Sequence, residues 1–375
     1  MSEARFKTPT LMKLKQAVFV CALFLYAIAS ASIIPVTDPT LRSGLSHYNW
    51  VCQKDSIHTS VAGASLSIGF TGITQVALKV DTSPLKKFHA ARYPILSWTV
   101  NGGPMKSQQL VDGDTSILLT SSVENPKIDL YIKGMSPFEN RWTGDVPENS
   151  VRITGFEVDD KVVPVPSKMA EKIWLNIGDS IMSGDGAALA ASQGRPSNDT
   201  WAAATNARAS YGFLLAHHFG YRESRIAHGG YNWAGGMAGV PALRKLMDQK
   251  TSTVSRLTDG LLSPPPDVIT VNLGENGVPK DTDVIGSLQH LRSRIGKEAK
   301  IILMIPVSGK GSVEISRAFS RYQSESKDKQ SFLIDLGKIP FETADGQHPT
   351  AKGHQSIFEA ARPACEKIFA GGGAG

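Results

Sequence analysis

Two short segments of this chain contain residue types that could form a nucleophile and its base. Residues 173–177 are an apolar run, and Gly178-Asp179-Ser180 follows it directly. Far along the chain, Asp345 precedes His348 by three positions, and Pro349 comes next. A serine hydroxyl needs a base to take its proton, and a histidine does this best when a carboxylate fixes its tautomer. Alone, each segment could also be a turn with a surface histidine; together they predict acyl transfer through a serine.

Acyl transfer also needs donors for the oxyanion of the tetrahedral intermediate. Gly229-Gly230 follows a second apolar segment, and Gly274-Glu275-Asn276 follows a third. In open α/β sheets ligands bind at the carboxyl ends of the strands, where such segments meet. A glycine N–H and the Asn276 amide are therefore candidate donors.

The elements that would position these residues begin near residue 170. Apolar stretches at 173–177, 224–228, 267–273, 300–306 and 331–336 alternate with helical patterns near 210–219, 239–249, 284–297, 312–324 and 350–369. Strand–helix alternation predicts a parallel sheet with helices on both faces. We assign this α/β domain to residues 170–370.

The preceding region, residues 40–165, has a different spacing of apolar residues. Apolar residues alternate with polar ones at 65–70, 74–80, 95–100, 116–120, 127–133 and 150–156, with turn residues between the segments. Several short strands at close spacing predict a β-sandwich or jelly roll. Residues 159–167, which contain Pro164 and Pro166, are predicted to be the linker between the two domains.

The N-terminal residues 1–31 resemble a secretory signal peptide. Lys13 and Lys15 precede an apolar run of 13 residues at 17–29, and Ala29-Ser30-Ala31 offers a cleavage site. The run is short for a membrane span, which takes about 20 residues, although a short anchor is the alternative. We predict a secreted protein without stable membrane association after cleavage.

The charge of the chain argues against a nucleic-acid partner. The formal charge is +6, and residues 1–31 carry four basic side chains against one acidic, so their removal would leave +3. No dense basic run is interleaved with aromatic residues. In a secreted chain Cys52 and Cys365 could form a disulfide, and Asn198-Asp199-Thr200 is an N-glycosylation sequon.

These motifs, in this order, resemble those of the GDSL/SGNH hydrolase family over roughly residues 172–369. The resemblance implies a flavodoxin-like three-layer domain with Ser180 as nucleophile, His348 as base and Asp345 as its orienting acid. It also implies an oxyanion hole made by the Ser180 N–H, the Gly230 N–H, with Gly229 as the next choice, and the Asn276 amide. The family often has aspartate after that asparagine, whereas this chain has Gly277.

Residues 141–159 are similar to the end of the jelly-roll domain that precedes the hydrolase domain in family-2 carbohydrate esterases. That resemblance implies an esterase acting on O-acetylated carbohydrate, with Trp233 or Trp201 able to stack on sugar; a structural role for either tryptophan is equally open. A lipid or aryl-ester esterase and a non-catalytic carbohydrate-binding protein are the alternatives. No motif for a metal, nicotinamide or phosphate group occurs, so no cofactor is expected.

Overall fold

A computed structural model describes residues 32–159 and 162–371 of the chain. The predicted signal peptide, residues 1–31, lies outside the described residues. Within the described residues, every helix is too short or too polar to cross a bilayer.

The N-terminal region folds into two antiparallel sheets. The first sheet has the order β2-β3-β10-β5-β8, with β1 also paired to β10, and the second has the order β11-β4-β9-β6-β7. The strands are β1 Ser32–Pro35, β2 Val51–Cys52, β3 Ile57–Thr59, β4 Ser65–Thr71, β5 Val76–Val80, β6 Ile95–Val100, β7 Lys106–Gln109, β8 Ser116–Thr120, β9 Lys127–Gly134, β10 Val151–Val158 and β11 Val163–Pro166. Helix α1, Pro39–Ser43, and 3₁₀ turns at Ser83–Lys87 and Ala90–Arg92 complete this region.

Period-two alternation explains how the two sheets share one core. Leu66 and Ile68 on β4 are fully buried, and so is Leu130 on the neighbouring β9. These side chains belong to the same buried cluster as Leu78 and Phe156 of the other sheet. Successive side chains of a strand point to opposite faces, so each sheet turns an apolar face inward, and the region is the predicted β-sandwich.

The C-terminal region is built on a five-stranded parallel sheet. Its strands are β12 Ile173–Gly178, β13 Arg222–Ala227, β16 Val268–Asn272, β17 Lys300–Ile305 and β18 Ser331–Asp335, and a small hairpin adds β14 Leu257–Thr258 and β15 Leu261–Leu262. The spatial order is β13-β12-β16-β17-β18. Numbered within this sheet, the order is 2-1-3-4-5, which is the flavodoxin-like order. The predicted fold class is confirmed.

Helices cover both faces of the parallel sheet. They are α2 Ser180–Ser183, α3 Trp201–Ala204, α4 Tyr211–His218, α5 Leu243–Asp248, α6 Asp281–Ile295, α7 Ser312–Ser326 and α8 Ala351–Ala370, with 3₁₀ turns at Ala207–Ala209 and Met237–Gly239. Residues of α5, α6 and α7 contribute to one buried cluster. Residues of α2, α4 and α8 contribute to the other. The sheet therefore lies between two helical layers.

The segment predicted as a linker contains an edge strand. Strand β11 pairs antiparallel with β4, with Val163 opposite Thr71 and Pro166 opposite Ile68. Proline lacks an N–H and is tolerated only at the edge of a sheet, and β11 is the outermost strand of its sheet. The prolines therefore mark an edge rather than an unstructured connection.

The disulfide that Cys52 and Cys365 could have formed is not present, because both cysteines are free. Cys52 lies exposed on β2 of the sandwich, whereas Cys365 is fully buried on α8. Burial raises the pKa of the Cys365 thiol to about 12. Cys365 therefore acts as a small apolar residue beneath the last helix.

Candidate active site

The parallel register brings three loops to one edge of the sheet. Gly178, the last residue of β12, is opposite Ala227 of β13 and Asn272 of β16. The segments that follow these strands contain Ser180, Gly229-Gly230 and Asn276. Because β12 lies between β13 and β16, the serine is flanked on each side by a candidate oxyanion donor.

Ser180 is the first residue of a single helical turn that begins where β12 ends. The Asp179 carboxylate accepts a hydrogen bond from the Ile181 N–H at 3.0 Å, so it caps α2. Gly184 ends the turn in the left-handed conformation, with φ +83°, which glycine adopts without steric cost. Asp179 is buried, and burial first and the Glu275 carboxylate second raise its pKa well above the usual value. This turn fixes the Ser180 hydroxyl at the sheet edge.

Ser180, His348 and Asp345 form one row of hydrogen bonds. His348 Nε2 lies 3.1 Å from Ser180 Oγ, and His348 Nδ1 lies 2.8 Å from Asp345 Oδ2. Ser180 and His348 are only 3% and 5% exposed. With Nδ1 donating to the carboxylate, Nε2 is free to accept the serine proton, which is the arrangement of a nucleophile, a base and an orienting acid.

The turn before α8 holds the Asp345 carboxylate in place. Its Oδ1 accepts the backbone N–H groups of Gln347 at 3.0 Å and His348 at 2.7 Å. Burial on its own would raise the pKa of Asp345, but the hydrogen bonds from His348 outweigh it, and the pKa is lowered. Thr350 then caps α8 by accepting from the Gly353 N–H at 3.1 Å. Asp345 therefore stays ionised at neutral pH.

The candidate oxyanion donors lie in two loops that are tied together. The Asn276 amide donates to the backbone oxygen of Tyr231 at 3.0 Å, one residue beyond Gly230. Gly230 has φ +68°, and a Cβ there would lie 2.5 Å from Met237 Sδ. A Cβ at Gly229 would lie 2.7 Å from Pro137 Cβ and 3.1 Å from Asp185 Oδ2. A side chain at Gly229 would clash with Pro137, and the left-handed backbone at Gly230 favours glycine, so both positions suit the loop beside Ser180.

Trp201 lies behind the base and is not available to stack on sugar. It is 4% exposed, and its ring meets the His348 ring edge-on, with 5.3 Å between the centroids and 89° between the planes. Trp233 is also buried, at 3% exposed, and its indole N–H donates to the Leu273 backbone oxygen at 3.1 Å. Of the two roles left open for these tryptophans, sugar stacking and a structural role, the structure favours the structural one at both positions, because each indole is used in packing.

The buried carboxylate of Asp185 holds the Trp201 ring in place. Asp185 Oδ2 accepts the Trp201 indole N–H at 2.9 Å, and Oδ1 accepts the Thr205 hydroxyl at 3.1 Å. Burial is the main reason that the pKa of Asp185 is raised, against the opposing charges of His348 and Arg141. No spacing in the sequence indicates this contact, since it depends on the path of the loop between α2 and α3.

The predicted glycosylation site lies away from the row formed by Ser180, His348 and Asp345. Asn198 is on an exposed loop, where a glycan has room, and glycosylation stays a prediction. Within residues 32–159 and 162–371, no group of three or more His, Cys, Asp or Glu side chains is arranged to hold a metal ion.

The comparisons with known proteins bear on this arrangement of loops. Residues 175–361 match the family model described as GDSL-like lipase/acylhydrolase. No curated protein matches the sequence.

Several solved structures share this two-domain fold over most of the chain. A family-two carbohydrate esterase from Cellvibrio japonicus is similar with a TM-score of 0.72 at 18% identity, over 91% of this chain and 98% of that one. An acetyl xylan esterase from the rumen bacterium Butyrivibrio proteoclasticus has a TM-score of 0.69 at 16% identity, over 91% and 98%. A family-two carbohydrate esterase from Clostridium thermocellum, in complex with cellohexaose, has a TM-score of 0.66 at 16% identity, over 88% and 98%.

The family-model match contains Ser180, Asn276, Asp345 and His348, and the solved structures share both the sandwich and the parallel-sheet domain. This chain therefore belongs to the GDSL/SGNH hydrolase family.

Proposed function

We propose that this chain is a secreted serine esterase that hydrolyses O-acetyl esters on carbohydrate. One observation carries the proposal: the hydrogen-bonded row from Ser180 through His348 to Asp345, with distances of 3.1 and 2.8 Å. Family membership supports hydrolysis of a carboxylic ester, and the row supplies the groups for it.

In the proposed reaction, Ser180 Oγ attacks the ester carbonyl while His348 Nε2 takes the hydroxyl proton. The oxyanion is met by the Ser180 N–H, a glycine N–H of the 229–230 pair and the Asn276 amide, each donor worth roughly 3–4 kcal/mol of barrier. His348 then protonates the departing sugar oxygen, which leaves an acyl-serine. Water, deprotonated by the same nitrogen, releases the acid and restores Ser180.

Two features support a short acyl group. Ser180 and His348 are almost fully buried, and Trp201, with its indole held by Asp185, closes the space behind the base. Such a site suits an acetyl group better than a long chain. The similar structures from Cellvibrio japonicus and Butyrivibrio proteoclasticus bear the names of a carbohydrate esterase and an acetyl xylan esterase, which supports carbohydrate as the alcohol. Secretion rests on the signal-like residues 1–31.

The deciding experiment compares the wild type with Ser180→Ala on acetylated xylan and on p-nitrophenyl acetate, butyrate and octanoate. We expect acetate release by the wild type, a preference for acetyl over octanoyl esters, and loss of at least about 10³-fold in the variant. A melting temperature equal to that of the wild type would show that Ser180→Ala folds.

Two other outcomes would change the assignment. A preference for octanoate would favour the lipid or aryl-ester esterase. Binding of xylan or cellohexaose without release of acid from any ester would favour a carbohydrate-binding protein. The similar Clostridium thermocellum structure was solved in complex with cellohexaose, which is why this alternative is tested.

A further inference from the structure

A small polar cavity lies where the β-sandwich meets the parallel-sheet domain. The sandwich contributes His58 and Thr59 of β3, and the other domain contributes His228, Lys250 and Arg256. The cavity has a volume of about 10 Å³, which is room for about one water-sized sphere. Its occupant must therefore be a single small species.

Arg256 brings a positive charge to this cavity without a carboxylate partner. The side chain is 6% exposed, and its terminal nitrogens donate to the backbone oxygens of Tyr48, Leu246 and Gln249. Its Nε is buried and has no partner among the described residues. Burial is the main reason that the pKa of Arg256 falls to about 9. The backbone oxygens orient the guanidinium, and the nearby Asp248 carboxylate, which pairs with Arg294, offsets only part of its charge.

Lys250 brings a second cation to the same wall. Among the described residues its ammonium group forms neither an ion pair nor a hydrogen bond, and the side chain is half-buried beside the cavity. Burial first and the charge of Arg256 second lower the pKa of Lys250. Two neighbouring cations repel each other in a low-dielectric interior unless an anion lies between them.

The other polar groups of the cavity add one more donor. Thr59 Oγ1 accepts the Val61 N–H at 3.2 Å, so its own proton is free to donate. His58 Nε2 lies 3.0 Å from the backbone oxygen of Asp145 and donates to it, which leaves His58 Nδ1 as a neutral acceptor. His228 Nδ1 is likewise buried and has no partner among the described residues. No Asp or Glu side chain lines the cavity in the described part of the chain.

We propose that this cavity is a binding site for one monatomic anion, of which chloride is the physiological example. Two cations and a free hydroxyl surround it, so a bound anion compensates charges that a water molecule would leave unpaired. Its small volume favours a monatomic ion over acetate, sulfate and phosphate. Because the walls come from both domains, the anion holds the sandwich against the segment that begins at His228, directly before the Gly229-Gly230 loop.

A ligand that binds only the folded protein raises its melting temperature by mass action. Unfolding of the full chain is measured at pH 7.5 in sodium chloride, bromide and gluconate at equal ionic strength, because gluconate is too large for the cavity. We expect the melting temperature to rise by about 3–6 °C in chloride and bromide at concentrations about 100 times the dissociation constant, with saturation. In gluconate we expect no saturable rise.

Lys250→Gln, which shortens the side chain little and removes the charge, should lose most of this response. Lys245→Gln is the matched control, since Lys245 is exposed on α5 five positions away, and it should respond like the wild type. Crystals grown with sodium bromide should give an anomalous peak between Lys250 and Arg256. Equal melting temperatures in the three salts, together with no anomalous peak, would overturn the proposal and assign the cavity to water. If Lys250→Gln does not fold, the wild-type melting temperatures in the three salts and the bromide crystals still test the proposed anion site.

Discussion

Three aspartates surround the nucleophile, and their environments separate their roles. Asp345 accepts hydrogen bonds from two N–H groups and from the His348 ring, and its pKa is lowered. Asp179 and Asp185 are fully buried, and their pKa values are raised, chiefly by burial. Only Asp345 is therefore built to carry a charge against the imidazolium that forms during catalysis. Asp179 caps a helix, and Asp185 anchors an indole.

Asp185 gives a residue-scale prediction that separates anchoring from charge. Asp185→Ala leaves the buried Trp201 N–H without an acceptor, which costs about 1–3 kcal/mol and frees the ring that packs on His348. We expect kcat/KM for p-nitrophenyl acetate to fall about tenfold or more. Asp185→Asn keeps an acceptor for the indole and can donate its amide to Thr205 Oγ1, which lies 3.0 Å from the Trp201 backbone oxygen. We expect this variant to keep most of the activity.

The test compares kcat/KM and melting temperature between Asp185→Ala and Asp185→Asn. If Asp185→Asn were as impaired as Asp185→Ala while Asp185→Asn melted like the wild type, the charge rather than the indole anchor would be the contribution of Asp185. Full activity of Asp185→Ala would show that the position of Trp201 does not matter for the base.

At the scale of elements, the turn after α2 and the turn before α8 contact each other at the site. Gly186 has φ +80°, and a Cβ there would lie 2.6 Å from His348 Cβ. Gly186→Ala would therefore strain its own backbone and also push the base away from Ser180. We expect kcat to fall about 100-fold, since a displacement of about 1 Å can cost that much.

Gly220→Ala is the control for backbone strain alone. Gly220 has φ +73°, and a Cβ there would meet nothing within 4 Å. Both variants should lose stability, by about 1 kcal/mol from the left-handed conformation, but Gly220→Ala should keep wild-type kcat. An equal loss of kcat in the two variants would mean that strain in general, and not contact with His348, limits activity.

Strong periodicity made most elements predictable, and its absence explains the rest. The parallel strands and their helices follow the predicted segments closely, because each strand is a buried apolar run between turn residues. Strand β7, Lys106–Gln109, was missed because its residues, KSQQ, are mostly exposed and show no apolar alternation. It is held by pairing with β6 rather than by burial.

The site residues were predictable for the same reason, namely where they lie next to a periodic element. Ser180, Asn276 and His348 could be placed at one edge because each follows or precedes a predictable element. The contacts of Trp201 and Asp185 could not, since they depend on the path of a loop with no periodicity. The sequence leaves sugar stacking and a structural role open for the two tryptophans, and the structure shows the latter, since a large indole gains from burial when its N–H finds an acceptor.

At the scale of the whole molecule, the two domains are joined by polar contacts as well as by packing. Arg208 forms a two-pronged ion pair with Asp129 of the sandwich, at 2.8 and 3.0 Å, and its guanidinium lies 4.3 Å above the Tyr131 ring. Arg92 of the sandwich pairs with Asp199 at 2.7 Å. Planar, paired contacts of this kind fix orientation. The sandwich is therefore oriented on the segment from Asp199 to Arg208, which carries Trp201.

The lowered pKa values of histidines in both domains make the free energy of unfolding depend on pH. Burial is the main cause that lowers the pKa of His47 and His58 to about 4, that of His354 to about 3 and that of His228 well below its usual value. In the unfolded chain a histidine has a pKa near 6.5. Below about pH 6.5 the unfolded chain binds protons that the folded protein does not, so the free energy of unfolding decreases as the pH falls from about 6.5 toward 4.

Each such histidine adds at most about 1.4 kcal/mol per pH unit to this slope. The variant His354→Gln removes one of these histidines. His354 is fully buried, its Nδ1 accepts the Tyr211 N–H at 3.3 Å, and its ring stacks on that of Tyr211. Arg225 and His348 add positive charge nearby. Glutamine can replace the acceptor but does not titrate. Urea titrations at pH 7, 6 and 5 should therefore give a shallower slope for His354→Gln than for the wild type. His89→Gln, at an exposed histidine, should leave the slope unchanged. If the slopes of His354→Gln and the wild type were parallel, His354 would be protonated in the folded protein, and the loss of stability in acid would have to come from other groups.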